Sequence, residues 1–170
     1  MAQPCVVVMG VSGSGKSTLG RALAVALGVR WVEGDALHPP ENVARMAAGI
    51  ALTDTDRQDW LRAVAEELAS ARARGQGAVV ACSALRRSYR DQLRAAAPDL
   101  HLIHLQGPRE LLASRLASRT GHYMPPTLLQ SQLDTLEPPD DDEQALALDI
   151  SLPVEALLAR AGRWLRETSP

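Results

Sequence analysis

The chain has 170 residues, 46% of them hydrophobic, with a formal net charge of −2. That length suits one domain spanning 1–170 with a core of its own, and the near-neutral charge gives no general pull toward nucleic acid. Aromatic residues make up 3% and Phe is absent, which argues against a base-stacking platform, and no apolar run is long enough for a bilayer.

Met1-Ala2-Gln3-Pro4 shows no signal pattern and leads into the first predicted strand, residues 5–9. Cys5-Val6-Val7-Val8-Met9 is apolar and β-branched, as a buried parallel strand should be. Gly10-Val11-Ser12-Gly13-Ser14-Gly15-Lys16-Ser17 follows and fits the phosphate-loop pattern G-x-x-x-x-G-K-[ST]. Leu19, Leu23 and Leu27 recur every fourth position and predict a helix over 16–28. Strand, glycine-rich turn and helix is the setting this pattern needs. The glycines let the backbone bend until its N–H groups approach a phosphate, and the helix N-terminus adds partial positive charge. Residues from Gly10 through Thr18 are therefore expected to bind a nucleoside triphosphate, Lys16 on the β- and γ-phosphates and the Ser17 hydroxyl on Mg²⁺.

A short strand at 31–33 precedes Gly34-Asp35. Asp35 would stand at the C-terminal sheet edge, where ligands of open α/β sheets bind. There it could take the proton of an attacking hydroxyl, hold Mg²⁺ through water, or cap a turn. Helices are predicted at 40–48 and 55–74, the second capped by Thr53, Asp54 or Thr55 and burying Trp60, Leu61, Val64 and Leu68. A strand at 78–82 runs into Ser83, which could bond a sugar hydroxyl or an Mg²⁺-bound water, or cap the helix at 86–97. Then come a strand at 101–106, with His101 and His104 read as structural or exposed, helices at 108–119 and 127–136, a strand at 147–151 and a helix at 153–167. Cys5 and Cys82 read as small buried hydrophobes, which suits the cytosol. The acidic run from Glu137 to Glu143 reads as a solvated loop. Strands alternating with helices predict a three-layer α/β fold: about five mostly parallel strands with helices on both faces.

The D-x-x-G and N-K-x-D elements of GTPase switches do not occur, and the chain is too short for a motor ATPase. One phosphate loop and a carboxylate after the second strand point to a small-molecule kinase. Gly34-Asp35-Ala36-Leu37-His38-Pro39, with Asn42, Met46, Gly49 and Leu52-Thr53-Asp54-Thr55-Asp56-Arg57, resembles the P-loop gluconokinases. So do Cys82-Ser83-Ala84-Leu85-Arg86-Arg87, Tyr89-Arg90-Asp91, Ser114-Arg115-Leu116 with Arg119 and Gly121-His122-Tyr123, and Gln132-Leu133 with Thr135-Leu136-Glu137-Pro138. The resemblance runs from the first strand to about residue 151. Met124-Pro125-Pro126 is its one departure, richer in proline than that turn should be.

The resemblance implies a fold similar to shikimate kinase, with a small mobile lid at roughly 115–130. It also implies transfer of the γ-phosphoryl of ATP to the 6-hydroxyl of D-gluconate. Lys16, Asp35 and Arg119 would be catalytic, Asp35 orienting and deprotonating the hydroxyl. Gluconate ends in a carboxylate, so its site needs cations. Arg57, Arg86, Arg87 and Arg90 are candidates, with Asp35, Ser83 and His38 beside them; Arg57 could equally make a first-turn ion pair. Arg115 and Arg119 are one helical turn apart, the expected lid arginines, with Arg115 and the stretch 149–153 near the adenine. A homodimer is a further implication. A same-fold kinase for another small hydroxy acid such as shikimate, a nucleoside monophosphate kinase, and a nucleotide switch without turnover stand as alternatives. The Gly-Asp-x-x-His-Pro segment speaks against shikimate.

Overall fold

A computed structural model describes residues 3–118 and 126–169. Five strands, β1 (Cys5–Met9), β2 (Arg30–Glu33), β3 (Ala78–Ala81), β4 (His101–Gln106) and β5 (Ala145–Asp149), form one sheet. Their order is β2-β3-β1-β4-β5 and every neighbouring pair is parallel. The helices are α1 (Lys16–Leu27), α2 (Pro40–Ala47), α3 (Asp54–Ala73), α4 (Arg87–Ala96), α5 (Arg109–Ala117), α6 (Pro126–Thr135) and α7 (Val154–Thr168).

The two-residue period of β1 divides the core. Cys5, Val7 and Met9 face Trp60, Leu61, Val64 and Leu68 of α3 and Tyr89 and Leu93 of α4. Val6 and Val8 face the other way, onto Leu19 and Leu23 of α1, Leu112 of α5, Leu129 of α6 and Leu157 and Ala161 of α7. A strand buried on both faces needs the continuous apolar run that the sequence supplies. The α3 start is fixed by a reciprocal cap. The Asp56 N–H donates to Thr53 Oγ1 at 3.1 Å, and the Thr53 N–H donates to Asp56 Oδ2 at 2.9 Å.

The expected strands at 5–9 and 101–106 match the observed ones, while β5 lies two residues earlier than 147–151. Cys82 falls just past β3; it and Cys5 are buried free thiols. His101 and His104 are both buried on β4, His101 edge-on to Trp164 with ring centroids 5.4 Å apart. No helix among the described residues is long and apolar enough to cross a membrane.

The acidic run is solvent-exposed along most of its length, as expected, but its side chains are engaged and its end is buried. Its last residue, Glu143, is buried and takes a bidentate pair from Arg90, Nε to Oε1 at 2.7 Å and Nη2 to Oε2 at 3.1 Å. Arg87 grips Asp140 at 3.0 Å and Asp142 at 2.8 and 2.9 Å. The spacing of acids along the chain could not reveal this, because the partners are set by how α4 packs.

Candidate active site

The phosphate loop joins β1 to α1. Gly10, Gly13 and Gly15 have φ of 148°, 86° and 93°. A Cβ on Gly10 would stand 2.7 Å from the Leu105 carbonyl oxygen, so both conformation and space require glycine there. No side chain caps the N-terminus of α1 and its first turn carries no acid, which leaves the helix end suited to an anion. Lys16 Nζ donates to the carbonyls of Gly10 at 3.0 Å and Val11 at 3.1 Å. Ser12, Gly13, Gly15, Lys16, Ser17, Thr18 and Asp35 line one open pocket.

Glu33, the last residue of β2, accepts the Ser17 hydroxyl at 2.5 Å. Nothing local marks Glu33 for this role, because it lies inside the predicted strand with Asp35 just after it. Asp35 is exposed in a 3₁₀ turn, Gly34–Leu37. That turn lies hard against β3: a Cβ on Gly34 would be 2.0 Å from the Ala81 carbonyl oxygen. Trp60 Nε1 donates to the Gly34 carbonyl at 2.8 Å, so the buried indole of α3 holds the turn from below.

Beyond the turn, His38 stacks on Trp60 with ring centroids 4.1 Å apart and planes 15° from parallel. Asn42, buried, places Nδ2 3.3 Å from His38 Nδ1 and donates to the Asp56 carbonyl at 2.7 Å. With Nδ1 accepting, Nε2 is the protonated nitrogen. Burial pushes the imidazole down to about 4; nearby Asp35 works against this and Arg57 with it. His38 is therefore neutral at pH 7.

Arg57 Nη1 donates to the Tyr89 hydroxyl at 2.9 Å, and that hydroxyl donates to Asp54. Arg57 Nη1 and Arg86 Nε lie 3.9 and 4.0 Å from the same Asp54 oxygen. These two guanidinium groups thus converge on one carboxylate. Tyr89 and Asn42 stood within family-like segments, but no local pattern marks a phenol as an arginine's partner. Ser83 is not a helix cap, since α4 begins at Arg87 with Arg86 at its N-cap, whose own side chain makes no capping bond. The Ser83 carbonyl accepts the Gly10 N–H at 3.3 Å, joining the two loops at the sheet edge.

Two expected substrate ligands are engaged by other partners in this structure. Arg90 is fully buried, and its remaining nitrogen donates to the Ala84 carbonyl at 2.9 Å. Arg87 points to the acidic run and closes onto Asp140 and Asp142. A guanidinium so engaged would have to abandon its carboxylates to meet a ligand. Arg115 donates to the Ile150 carbonyl at 2.6 Å. With Leu152, Val154 and Leu157 it lines a second pocket beside Gly13, Thr18 and Leu19. Arg119 lies outside the described residues.

The sheet order, the phosphate loop opening α1 and the carboxylates at the ends of β2 and its turn define a P-loop kinase. Residues 5–139 match the family described as an AAA domain. The gluconokinase of Gluconobacter oxydans (strain 621H) is 50% identical over 141 residues, which is 83% of this chain and 79% of that one. A gluconokinase structure from Sinorhizobium meliloti 1021 is 49% identical with a TM-score of 0.89, covering 98% of this chain and 93% of that one. An unliganded sugar kinase structure from Janibacter sp. HTCC2649 is 48% identical with a TM-score of 0.92, covering 96% and 95%. This chain belongs to the gluconokinase family.

Proposed function

We propose that the chain transfers the γ-phosphoryl of ATP to the 6-hydroxyl of D-gluconate, giving 6-phospho-D-gluconate and ADP. The observation that carries the mechanism is Asp35 on the wall of the pocket formed by Lys16, Ser17 and Thr18. Phosphoryl transfer asks for alignment and charge neutralisation more than covalent chemistry. The loop amides of Gly13 and of Gly15 to Thr18 and the Lys16 ammonium supply the positive field. Asp35 orients the acceptor hydroxyl and takes its proton. Arg119, known here from sequence alone, is the candidate to reach the transferring phosphoryl.

The donor set also fits Mg²⁺. A hydroxyl and a carboxylate, Ser17 and Glu33, stand 2.5 Å apart, and both residue types suit a hard cation. Ser17 would hold the ion with Glu33 beside it, and the ion would neutralise phosphate charge. The adenine would lie in the apolar pocket of Leu152 and Val154, next to Arg115. On the acceptor side, Arg57 and Arg86 are the cations for the gluconate carboxylate, while His38 Nε2–H and Ser83 offer hydrogen bonds to its hydroxyls. The family reading extends to a homodimer in the cytosol.

A coupled ADP-release assay tests the assignment, run with gluconate, shikimate and a nucleoside monophosphate as acceptors. Gluconate should support turnover well above the other two. Equal or greater turnover with either alternative would overturn it.

A further inference from the structure

Helix α6 touches both halves of the site. Midway along it, Gln132 Oε1 accepts the Ser12 backbone N–H at 2.7 Å, inside the phosphate loop. Just past its end, Glu137 holds the acceptor-side loop twice. Its N–H donates to the Leu85 carbonyl at 2.7 Å, and its carboxylate accepts the Arg87 N–H at 3.0 Å. Because α4 has no side-chain cap of its own, Glu137 provides that cap from another element. Before and between the two contacts the chain is anchored: Leu129 is buried, Leu133 packs on one core and Leu136 on both. Each tie ends on backbone, in a loop or at the first residue of α4, so it senses where the chain lies rather than how one side chain is turned.

We infer that Gln132 and Glu137 are positioning residues that couple the donor loop to the acceptor loop through α6. Neither touches the reacting atoms. A triphosphate settling on Ser12 and its neighbours fixes the Gln132 oxygen, and the anchored helix passes that constraint to Leu85 and Arg87, on either side of Arg86. Gluconate then binds a site whose acceptor half is already ordered, and gluconate bound first does the same for ATP in reverse. Linkage requires the two enhancements to be equal. The inference rests on the kinase assignment above.

Calorimetric titration of the full chain with a non-hydrolysable ATP analogue and Mg²⁺, with and without saturating gluconate, tests it. The wild type should bind the analogue about fivefold or more tightly when gluconate is present. Gln132→Ala and Glu137→Ala should each bind the analogue alone nearly as the wild type does, yet lose the enhancement. Gln132→Glu, which keeps an acceptor oxygen for the Ser12 N–H, should retain it. In turnover assays, the double alanine variant should lose no more kcat than the worse single variant, because either break already cuts the link. Gln132 is half-buried and Glu137 exposed, so both variants should fold; if Gln132→Ala does not, Glu137→Ala carries the same readout. An enhancement absent from the wild type or unchanged in the variants overturns the coupling, as does a double variant whose loss is the product of the single losses. A wild type that releases no ADP with gluconate is a separate result: it defeats the substrate assignment, and the coupling falls with it.

Discussion

The Arg90 guanidinium and the Glu143 carboxylate form a bidentate pair across 53 residues of sequence, with both side chains wholly inaccessible to solvent. The third Arg90 contact, to the Ala84 carbonyl, falls on a non-glycine residue with φ of 46°. Left-handed backbone costs an alanine about 1–2 kcal/mol, so something must hold it. The buried pair does so, and it thereby fixes the loop that carries Ser83 and Arg86.

Replacing Glu143 with Gln leaves Arg90 charged and only partly paired in the core. Removing one partner of a buried pair costs about 3–5 kcal/mol. For a chain of this size that lowers Tm by roughly 10 °C. Differential scanning calorimetry of Glu143→Gln checks this; a wild-type Tm would show the pair to be dispensable.

Acid should weaken the fold in two windows. The higher one belongs to His104, which burial and then the nearby Arg90 push down to about 4. Between pH 6.5 and 4 the unfolded chain takes up a proton that folded His104 resists. Stability therefore falls with pH, by about 2 kcal/mol at pH 5 for this one group. His38, also lowered to about 4, acts in the same window. The lower window belongs to Glu143. Burial alone would raise its carboxyl, but bonds from Arg90 and the Asp140 N–H outweigh this and hold it at about 2. Its contribution is full above pH 4.5 and is lost as pH falls from there through 2. Urea unfolding at pH 7, 6 and 5 measures the upper window, and His104→Leu should flatten part of the slope. An unfolding free energy constant from pH 7 to 5 would contradict it.

Local patterns made the donor half readable. Glycine spacing, a flanking apolar strand and a helical leucine repeat are short-range signals, and they set the phosphate loop and β1 directly. The acceptor half depends on which helix packs where. Arg87 and Arg90 sit in the same short segment as Arg86, and nothing within that segment says which guanidinium meets Asp54 and which meets the acidic run. Glu33 and Gln132 were hidden for a related reason. Each acts on the phosphate loop from an element whose position only the folded sheet decides.

Arg57 and Arg86 converge on Asp54, and in the proposed reaction they are the cations that meet the gluconate carboxylate. A charge-assisted bond contributes about 1.5–3 kcal/mol. Arg57→Met should therefore raise the KM for gluconate by about tenfold or more, with little change in the KM for ATP. Tyr89→Phe removes the hydroxyl that holds Arg57 and should raise the gluconate KM by a smaller factor. Parallel rises in both KM values in Arg57→Met would show that it does not act on the acceptor alone.

Asp35 and Glu33 flank the same loop, but their variants should differ in kind. Asp35 lines the phosphate pocket and is exposed, free of the bond that Glu33 makes to Ser17. In the proposed mechanism Asp35 is the base for the 6-hydroxyl and acts after both substrates are bound. Asp35→Asn should keep ATP-analogue affinity and lose roughly 10²–10⁴ in kcat. Glu33 accepts the Ser17 hydroxyl, and in the proposed mechanism it acts through Ser17 on the cation that accompanies ATP. Glu33→Gln should raise the Mg²⁺ concentration needed for half-maximal rate, and saturating Mg²⁺ should recover much of the loss. Steady-state rates over a Mg²⁺ series separate the two variants. Recovery of Asp35→Asn by Mg²⁺ would move Asp35 from proton transfer to metal binding, and wild-type turnover in that variant would remove it from the mechanism.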